Sequence, residues 1–451
     1  MIATWDTASL VEQDIAHMLH PVTNLHRHRQ TGPLVIVRGA GSTVWDSDGK
    51  EYIDGFAGLW NVNVGHGRRE LADVAQEQMA RLAFQPTFFG LATPPAIELA
   101  TKLAAMIPGP LNHFQFTSGG AESNETALKI ARYYWALGGQ PNKVKIISRN
   151  MAYHGIASGA LAATGIPAYW QDFGPLSPGF VHISAPHAYR LGDGLSETEF
   201  VAKLIEELEA TIEREGAEQI GAFIGEPVQG AGGVVPPPQS YWAAVSQVLK
   251  KHDILLIADE VITGFGRTGT MFGVEQYAVQ PDIVSLAKGI TSGYLPLGAV
   301  GVSDEINERL SAPDRLFMHG FTYSGHPVAC AVGLRNIAMI EDEDLPANAA
   351  VRGEQLLAGL HDLGNHPNIG NARGKGLMAI IEVVADRDTK AGFAAAAGVG
   401  AKLQAATRAR GLIVRCNDTG IAFSPPLVIT EQEVDALVNG VGEAIREVLG
   451  S

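Results

Sequence analysis

Two cysteines, Cys330 and Cys416, are all that the 451 residues contain. They exclude a disulfide framework and suit a reducing compartment. Positive charge is short as well: 33 Lys and Arg stand against 48 Asp and Glu, a formal net charge of −15. That balance argues against nucleic acid or an anionic membrane surface as the main partner. No run reaches the roughly 18 uninterrupted apolar residues that suggest a membrane span. The opening stretch MIATWDTASLVEQ has no basic region followed by an apolar core, so no secretory signal is expected and the cytoplasm is the expected location. Neither H-E-x-x-H nor a paired-cysteine spacing occurs, so no metal is expected. Internal repeats, low-complexity segments and long linkers are missing too.

What remains fits a large core: 46% of residues are hydrophobic and only 18% charged. The length allows two or three domains. The 52 glycines and 24 prolines follow no period, which predicts many tight loops rather than a fibre. Through the middle of the chain, short apolar runs alternate with helical patterns. Runs at 113–116, 143–147, 222–224 and 254–258 read as buried strands. Helices are predicted over 121–137, 199–215 and 240–251. In the second of these, Phe200, Val201, Leu204, Ile205, Leu208 and Ile212 recur close to a 3.6-residue period. Such alternation predicts an α/β fold, a mostly parallel sheet flanked by helices. The ends differ. Residues 35–54 read as antiparallel strands with turns at 39–41 and 47–49. After about residue 330 a long helix is expected, then strands near 376–384 and 412–424, then a last helix from 431. The predicted organisation is an N-terminal segment, 1–70, that contributes to a small α+β domain. A large domain over 71–330 follows, and the rest of the small domain over 331–451.

Ligands of open α/β sheets sit at the C-terminal strand ends, and four stretches there carry unusual chemistry. Residues 116–122 (FTSGGAE) form a glycine loop between a strand and a helix. Its backbone N–H groups suit a phosphate, though an ordinary strand–helix turn would look the same. Residues 150–155 (NMAYHG) place Tyr153 where it could stack on a flat ligand or pack into the core. Asp259 and Glu260 end a buried strand, where carboxylates lose hydration unless a cation meets them; Asp259 could equally cap a helix. Lys288 follows the short apolar run 283–286. It is either a buried amine of lowered pKa, able to form an imine, or a surface lysine at a turn. Two other patterns do not hold. Residues 264–269 match G-x-G-x-x-G but do not open from a strand, and no acid follows at the needed distance. Gly374-Lys375-Gly376 lacks the spacing and the Ser/Thr of a nucleotide loop. The His-Arg-His-Arg run at 26–29 reads as a solvated basic face.

Together the four stretches supply a phosphate cradle, an aromatic plate, a buried Asp and a Lys 29 residues after it. These are the parts that hold pyridoxal phosphate. An amine bonds the cofactor, and a carboxylate keeps its ring nitrogen protonated, which makes the ring an electron sink. The stretches GLWNVNVGHG (58–67), TSGGAESNETALKIAR (117–132), RNMAYHG (149–155), GEPVQGAGG (225–233), LIADEVITGFGRTG (256–269), SLAKGITSGYLPLGAV (285–300) and HGFTYSGHPVACAV (319–332) carry a wider likeness. Over nearly its whole length the chain resembles the class III pyridoxal-phosphate aminotransferases of fold type I, and within them the omega-amino acid or amine–pyruvate group.

The resemblance implies pyridoxal 5'-phosphate as cofactor, passing through the pyridoxamine 5'-phosphate form. It also implies transfer of an amino group from a small primary amine or omega-amino acid donor to pyruvate, giving an aldehyde or ketone and alanine; the alternatives are a mutase, racemase or decarboxylase using the same Lys and Asp, or an aminotransferase specific for taurine, a diamine or β-alanine. Lys288 would form the imine and Asp259 would pair with the pyridine nitrogen. Tyr153 and Val261 would cover the two ring faces, with His154 beside them. Gly120 and Ala121 would donate N–H groups to the phosphate, Glu226 would sit near the ring, and Thr322 would reach the phosphate of a neighbouring subunit. Trp60, Phe88, Tyr153 and Phe321 would line the substrate side, and Arg415 would bind a substrate carboxylate. A homodimer, or a tetramer of dimers, is implied. At one position the chain departs from the family, which usually has Ser where Ala121 stands. That removes one hydrogen bond to a charged group, typically about 1.5–3 kcal/mol.

Overall fold

The computed structural model describes residues 5–450; residues 1–4 and 451, the outer ends of the two expected terminal segments, lie outside that description. Near the start, β1 (Ile36–Ala40), β2 (Thr43–Asp46) and β3 (Glu51–Asp54) form an antiparallel meander. Seven strands follow: β4 (Leu111–Thr117), β5 (Lys145–Arg149), β6 (Phe180–Ile183), β7 (Ile220–Gly225), β8 (Leu255–Asp259), β9 (Ile283–Leu286) and β10 (Gly298–Ser303). They make one sheet in the order β4-β10-β9-β8-β7-β5-β6. Strands β9 through β6 run parallel, and β10 runs against both of its neighbours.

Strand periodicity assigns each face of this sheet its own core. From β7 and β8, Ala222, Ile224 and Ile257 pack with Ala127, Leu128, Ala131 and Trp135 of the helix Gly120–Leu137. The alternate residues, Phe223, Leu256 and Ala258, belong to the larger cluster with Phe200 and Leu204 of helix Glu197–Glu215 and Trp242 of helix Tyr241–Lys251. Both faces are therefore covered, so the strands read as continuous apolar runs rather than alternating ones. Helix Glu197–Glu215 opens with a capping box between Ser196 and Glu199, and its apolar stripe is the one read from the sequence.

The C-terminal part adds β11 (Ile369–Lys375), β12 (Met378–Val383), β13 (Leu412–Ile413), β14 (Arg415–Asn417) and β15 (Gly420–Phe423). Four of these make a sheet in the order β11-β12-β15-β14. The fifth, β13, pairs in parallel with β3 and so ties the end of the chain to its start. The long helix expected after residue 330 is two helices, Pro327–Asp342 and Leu345–Asp362. Between them Asp344 adopts φ +46 and Pro346 opens the second helix, which ends the first one's hydrogen-bond ladder. Strands β6, β10 and β11 were not expected. No helix among the described residues is long and apolar enough to cross a membrane.

Candidate active site

A cavity of about 690 Å³ opens at the C-terminal ends of the central parallel strands. Trp60, Gly120, Ala121, Tyr153, His154, Glu226, Asp259, Val261, Lys288 and Arg415 all line it. Phe88, Phe321 and Thr322 do not. Phe88 lies against Gly320, the ring of Phe321 is 5.2 Å from that of His319, and Thr322 is exposed on the surface.

The last residue of β8 is Asp259, 2% exposed. Its Oδ2 accepts from Asn124 Nδ2 and from His154 Nδ1, each at 2.7 Å, and its Oδ1 accepts the Val261 N–H at 3.0 Å. Because the partner is a carboxylate, His154 carries a proton on Nδ1. Asn124 is held from its other side by the His154 carbonyl at 2.7 Å. The carboxylate is thus fixed in direction before any ligand arrives, and it caps no helix. Its neighbour Glu260 points the other way. It accepts N–H groups of Gly273 at 3.0 Å and Val274 at 2.7 Å, and the Thr263 hydroxyl. Burial pushes Glu260 up to about 7. One of the two adjacent acids therefore faces the cavity and the other holds a turn.

After β9 the backbone of Lys288 takes φ +45, a left-handed conformation that costs about 1–3 kcal/mol for a residue with a side chain. Strain of that kind persists where the surroundings over-determine it. Burial pulls the Lys288 amine down to about 8, against the opposing pull of Asp259 and Glu226. Glu226 follows β7; its Oε1 accepts the Tyr153 N–H at 3.0 Å and its Oε2 the Gly230 N–H at 2.8 Å. Burial raises its pKa.

Helix Gly120–Leu137 starts at the cavity, and Gly119 before it offers no side-chain cap. The N–H groups of its first turn lack helical partners and face a partial positive field, which suits an anion. Ser118 N–H, just before the helix, is engaged by Glu122 Oε2 at 2.8 Å, and Gly120 and Ala121, the first two residues of the helix, line the cavity. A Cβ on Gly120 would come within 2.7 Å of Val261, so glycine there lets the helix end approach the cavity wall. Tyr153 stands half-buried with Tyr169 at 5.3 Å between ring centres. Arg415, on β14, donates to the Ala231 carbonyl at 3.3 Å. That loop is held by Arg373, which donates to the carbonyls of Val234 at 2.8 Å and Gly233 at 2.6 Å and pairs with Glu382 at 2.5 Å.

An uncapped helix start, a fixed carboxylate, a strained lysine of lowered pKa and an aromatic wall share one cavity. This set fits a flat ring with a phosphate at one end and a protonated nitrogen at the other. Sequence reasoning missed Asn124 and Tyr169. Asn124 left a signal: an asparagine on the buried face of a helix is out of place unless a partner awaits it.

Residues 25–445 match the family described as Aminotransferase class-III. The chain is 43% identical to the putrescine–pyruvate aminotransferase of Pseudomonas aeruginosa, over 94% of this chain and 92% of that protein. It is 40% identical to the diaminobutyrate–2-oxoglutarate transaminase of Halomonas elongata, over 97% and 96%. Among solved structures, an (S)-enantioselective omega-transaminase from Thermomicrobium roseum superposes with a TM-score of 0.98 at 65% identity, covering 99% of this chain and 100% of that one. An omega-transaminase from Pseudomonas jessenii, solved with pyridoxamine phosphate, gives a TM-score of 0.94 at 43% identity over 97% and 98%.

Proposed function

The chain belongs to the class III aminotransferases, enzymes that work with pyridoxal 5'-phosphate, and from that premise we propose that it moves an amino group from a primary amine to pyruvate. The observation that carries the reading is the convergence of Lys288, Asp259 and the open start of helix Gly120–Leu137 on one cavity. The likeness to a putrescine–pyruvate enzyme and to omega-transaminases supports the choice of partners.

The cofactor, when bound, supplies a carbonyl that takes up the donor's nitrogen and a ring that accepts the electron pair left as the donor carbon loses its proton. Lys288 Nζ would hold the cofactor at rest. Freed by the donor amine, it would act as the base that takes the donor-carbon proton and as the acid that returns it. Its lowered pKa matches that double duty near neutral pH. Asp259, kept in place by Asn124 and His154, would pair with the ring nitrogen. Tyr153 and Val261 would keep water off the ring faces, and Glu226 braces the Tyr153 backbone. Gly120 and Ala121 N–H groups would bind the phosphate. Arg415 leaves the Ala231 carbonyl to clamp the keto acid's carboxylate bidentately, and Trp60 walls the donor side.

The same reading makes the enzyme at least a homodimer. Thr322, Phe88 and Phe321 lie outside this chain's cavity, among exposed apolar side chains that include Phe89, Leu316 and Met318. A second copy would bury them and complete the neighbouring site. The division into a large domain at 71–330 and a small one from both termini, joined through β3 and β13, belongs to this reading too.

The test is an acceptor panel run with one amine donor under equal conditions, with the amino acid product quantified by chromatography. Alanine formed from pyruvate, well ahead of glutamate formed from 2-oxoglutarate, is expected. Preference for 2-oxoglutarate would replace the proposed acceptor with that of the diaminobutyrate relative.

A further inference from the structure

The N-terminal helix pair, outside the site described above, brings two imidazoles and a carboxylate to one point. Helix Thr7–His17 carries Asp14, the turn after it carries His20, and helix Leu25–Thr31 carries His28. His20 Nε2 lies 2.7 Å from Asp14 Oδ2, and His28 Nε2 lies 2.7 Å from Asp14 Oδ1. The imidazole rings sit with centroids 4.2 Å apart. Side-chain exposures are 11% for Asp14, 24% for His20 and 9% for His28, so the cluster is partly open to solvent. Among the described residues no Lys or Arg pairs with Asp14. The basic run at 26–29 is not a uniformly solvated face: His26, Arg27 and Arg29 are exposed, while His28 turns inward.

We propose that Asp14, His20 and His28 form a binding site for a divalent transition metal of the zinc type. Two imidazole nitrogens and one carboxylate oxygen are a donor set that zinc accepts, with a fourth position left to water. The three candidate ligand atoms already lie within 4.8 Å of one another. Zinc bonds of about 2.0–2.2 Å at tetrahedral angles put ligand atoms roughly 3.3–3.5 Å apart. The 2.7 Å contacts therefore open by less than 1 Å to admit the ion. Ligation requires each imidazole to present its Nε2 lone pair to the ion with the ring proton on Nδ1, and the carboxylate to be ionised. The spacing rules applied to the sequence cannot see this site, because three separate segments supply one ligand each.

The turn that the ion would secure matters for the cavity. It carries Pro21 and Val22, which line the mouth of the active-site cavity, and Val22 is held at φ +49. A bound ion fixes that turn to both helices.

The experiment uses the holoenzyme, stripped with chelator, dialysed, and titrated with zinc while bound metal is quantified by elemental analysis. The variants are Asp14→Asn, His20→Gln and His28→Gln, with His26→Gln as a control, since His26 is exposed and bonds only Gln30. One ion per subunit is expected, with affinity at least about tenfold weaker in each of the three variants and unchanged in the control. Zinc should also slow tryptic cleavage at Arg27 and Arg29 of the unaltered enzyme, a readout that needs no variant to fold. Binding that the three variants leave intact, or no binding and no protection at micromolar zinc, overturns the proposal and leaves a hydrogen-bonded cluster only.

Discussion

Replacing Ala121 with serine should tighten the enzyme's hold on its cofactor. The first turn of helix Gly120–Leu137 offers backbone N–H groups and no hydroxyl. Ala121 lines the cavity and is half-buried. Its far side is closed by Gly155, where even an added methyl would come within 2.9 Å of the Ala121 Cβ. A serine hydroxyl is therefore steered toward the cavity. A hydrogen bond to a charged group contributes about 1.5–3 kcal/mol. Fixing one short rotamer takes back about 0.5 kcal/mol. Serine's lower helix propensity falls equally on the cofactor-free and loaded forms and cancels. The net is about 1–2.5 kcal/mol, or roughly a 5- to 70-fold lower dissociation constant. Cofactor-free enzyme, titrated with pyridoxal phosphate and followed by visible absorption, gives that constant, and inorganic phosphate as competitor gives it for the anion end alone. Constants within twofold of the parent for both ligands would refute the assignment of this helix start as the phosphate site.

Other consequences are as specific. Asp259→Asn removes the charge opposite the ring nitrogen while Asn124 and His154 remain. Turnover should fall at least about 100-fold, the effect of losing one member of a buried pair, with the cofactor still retained in the absorption spectrum. Arg415→Ala should raise KM for pyruvate about 10- to 100-fold through loss of charge-assisted bonds, while KM for an amine without a carboxylate stays within about twofold. The pH dependence of Lys288 has a definite sign: below its folded pKa the ammonium cannot attack a carbonyl, and above it the free amine can. Its rate of capture of unphosphorylated pyridoxal in cofactor-free enzyme should rise through a midpoint near 8. A midpoint close to the ordinary lysine value would show that burial does not tune this amine.

The parts of the fold that were legible are those whose side chains face two cores at once. Strands β7, β8 and β9 are buried on both faces, so the runs around 222, 256 and 284 stand out in the sequence. Strand β10 hid because Gly298 and Gly301 sit inside it. A Cβ at Gly301 would meet Phe114 at 2.5 Å, so packing demands a glycine where propensity reads a turn. Strand β6 is a four-residue edge strand with three half-buried residues and one buried, Ile183, and carries little pattern. The helix break lies at the left-handed Asp344, and the one local signal for it, Pro346 two residues on, marks the start of the second helix. At the site, Lys288, Asp259 and the glycine loop were legible because each violates the rules of an ordinary core. Asn124 and the Arg373–Glu382 pair were not, because their partners lie 135 and 9 residues away and only the folded sheets bring them into range. The Asp14, His20 and His28 cluster hid for the same reason.

The account turns on Lys288 being the residue that holds the cofactor. Holoenzyme reduced with borohydride and then digested would fix the cofactor to whichever amine carries it. Mass spectrometry should find the pyridoxyl group on the peptide containing Lys288 at near-stoichiometric yield, and should find that label lost when the enzyme is treated with an excess of amine donor before reduction and restored by pyruvate. A label on any other lysine, or one on Lys288 that amine and pyruvate leave unchanged, would contradict it.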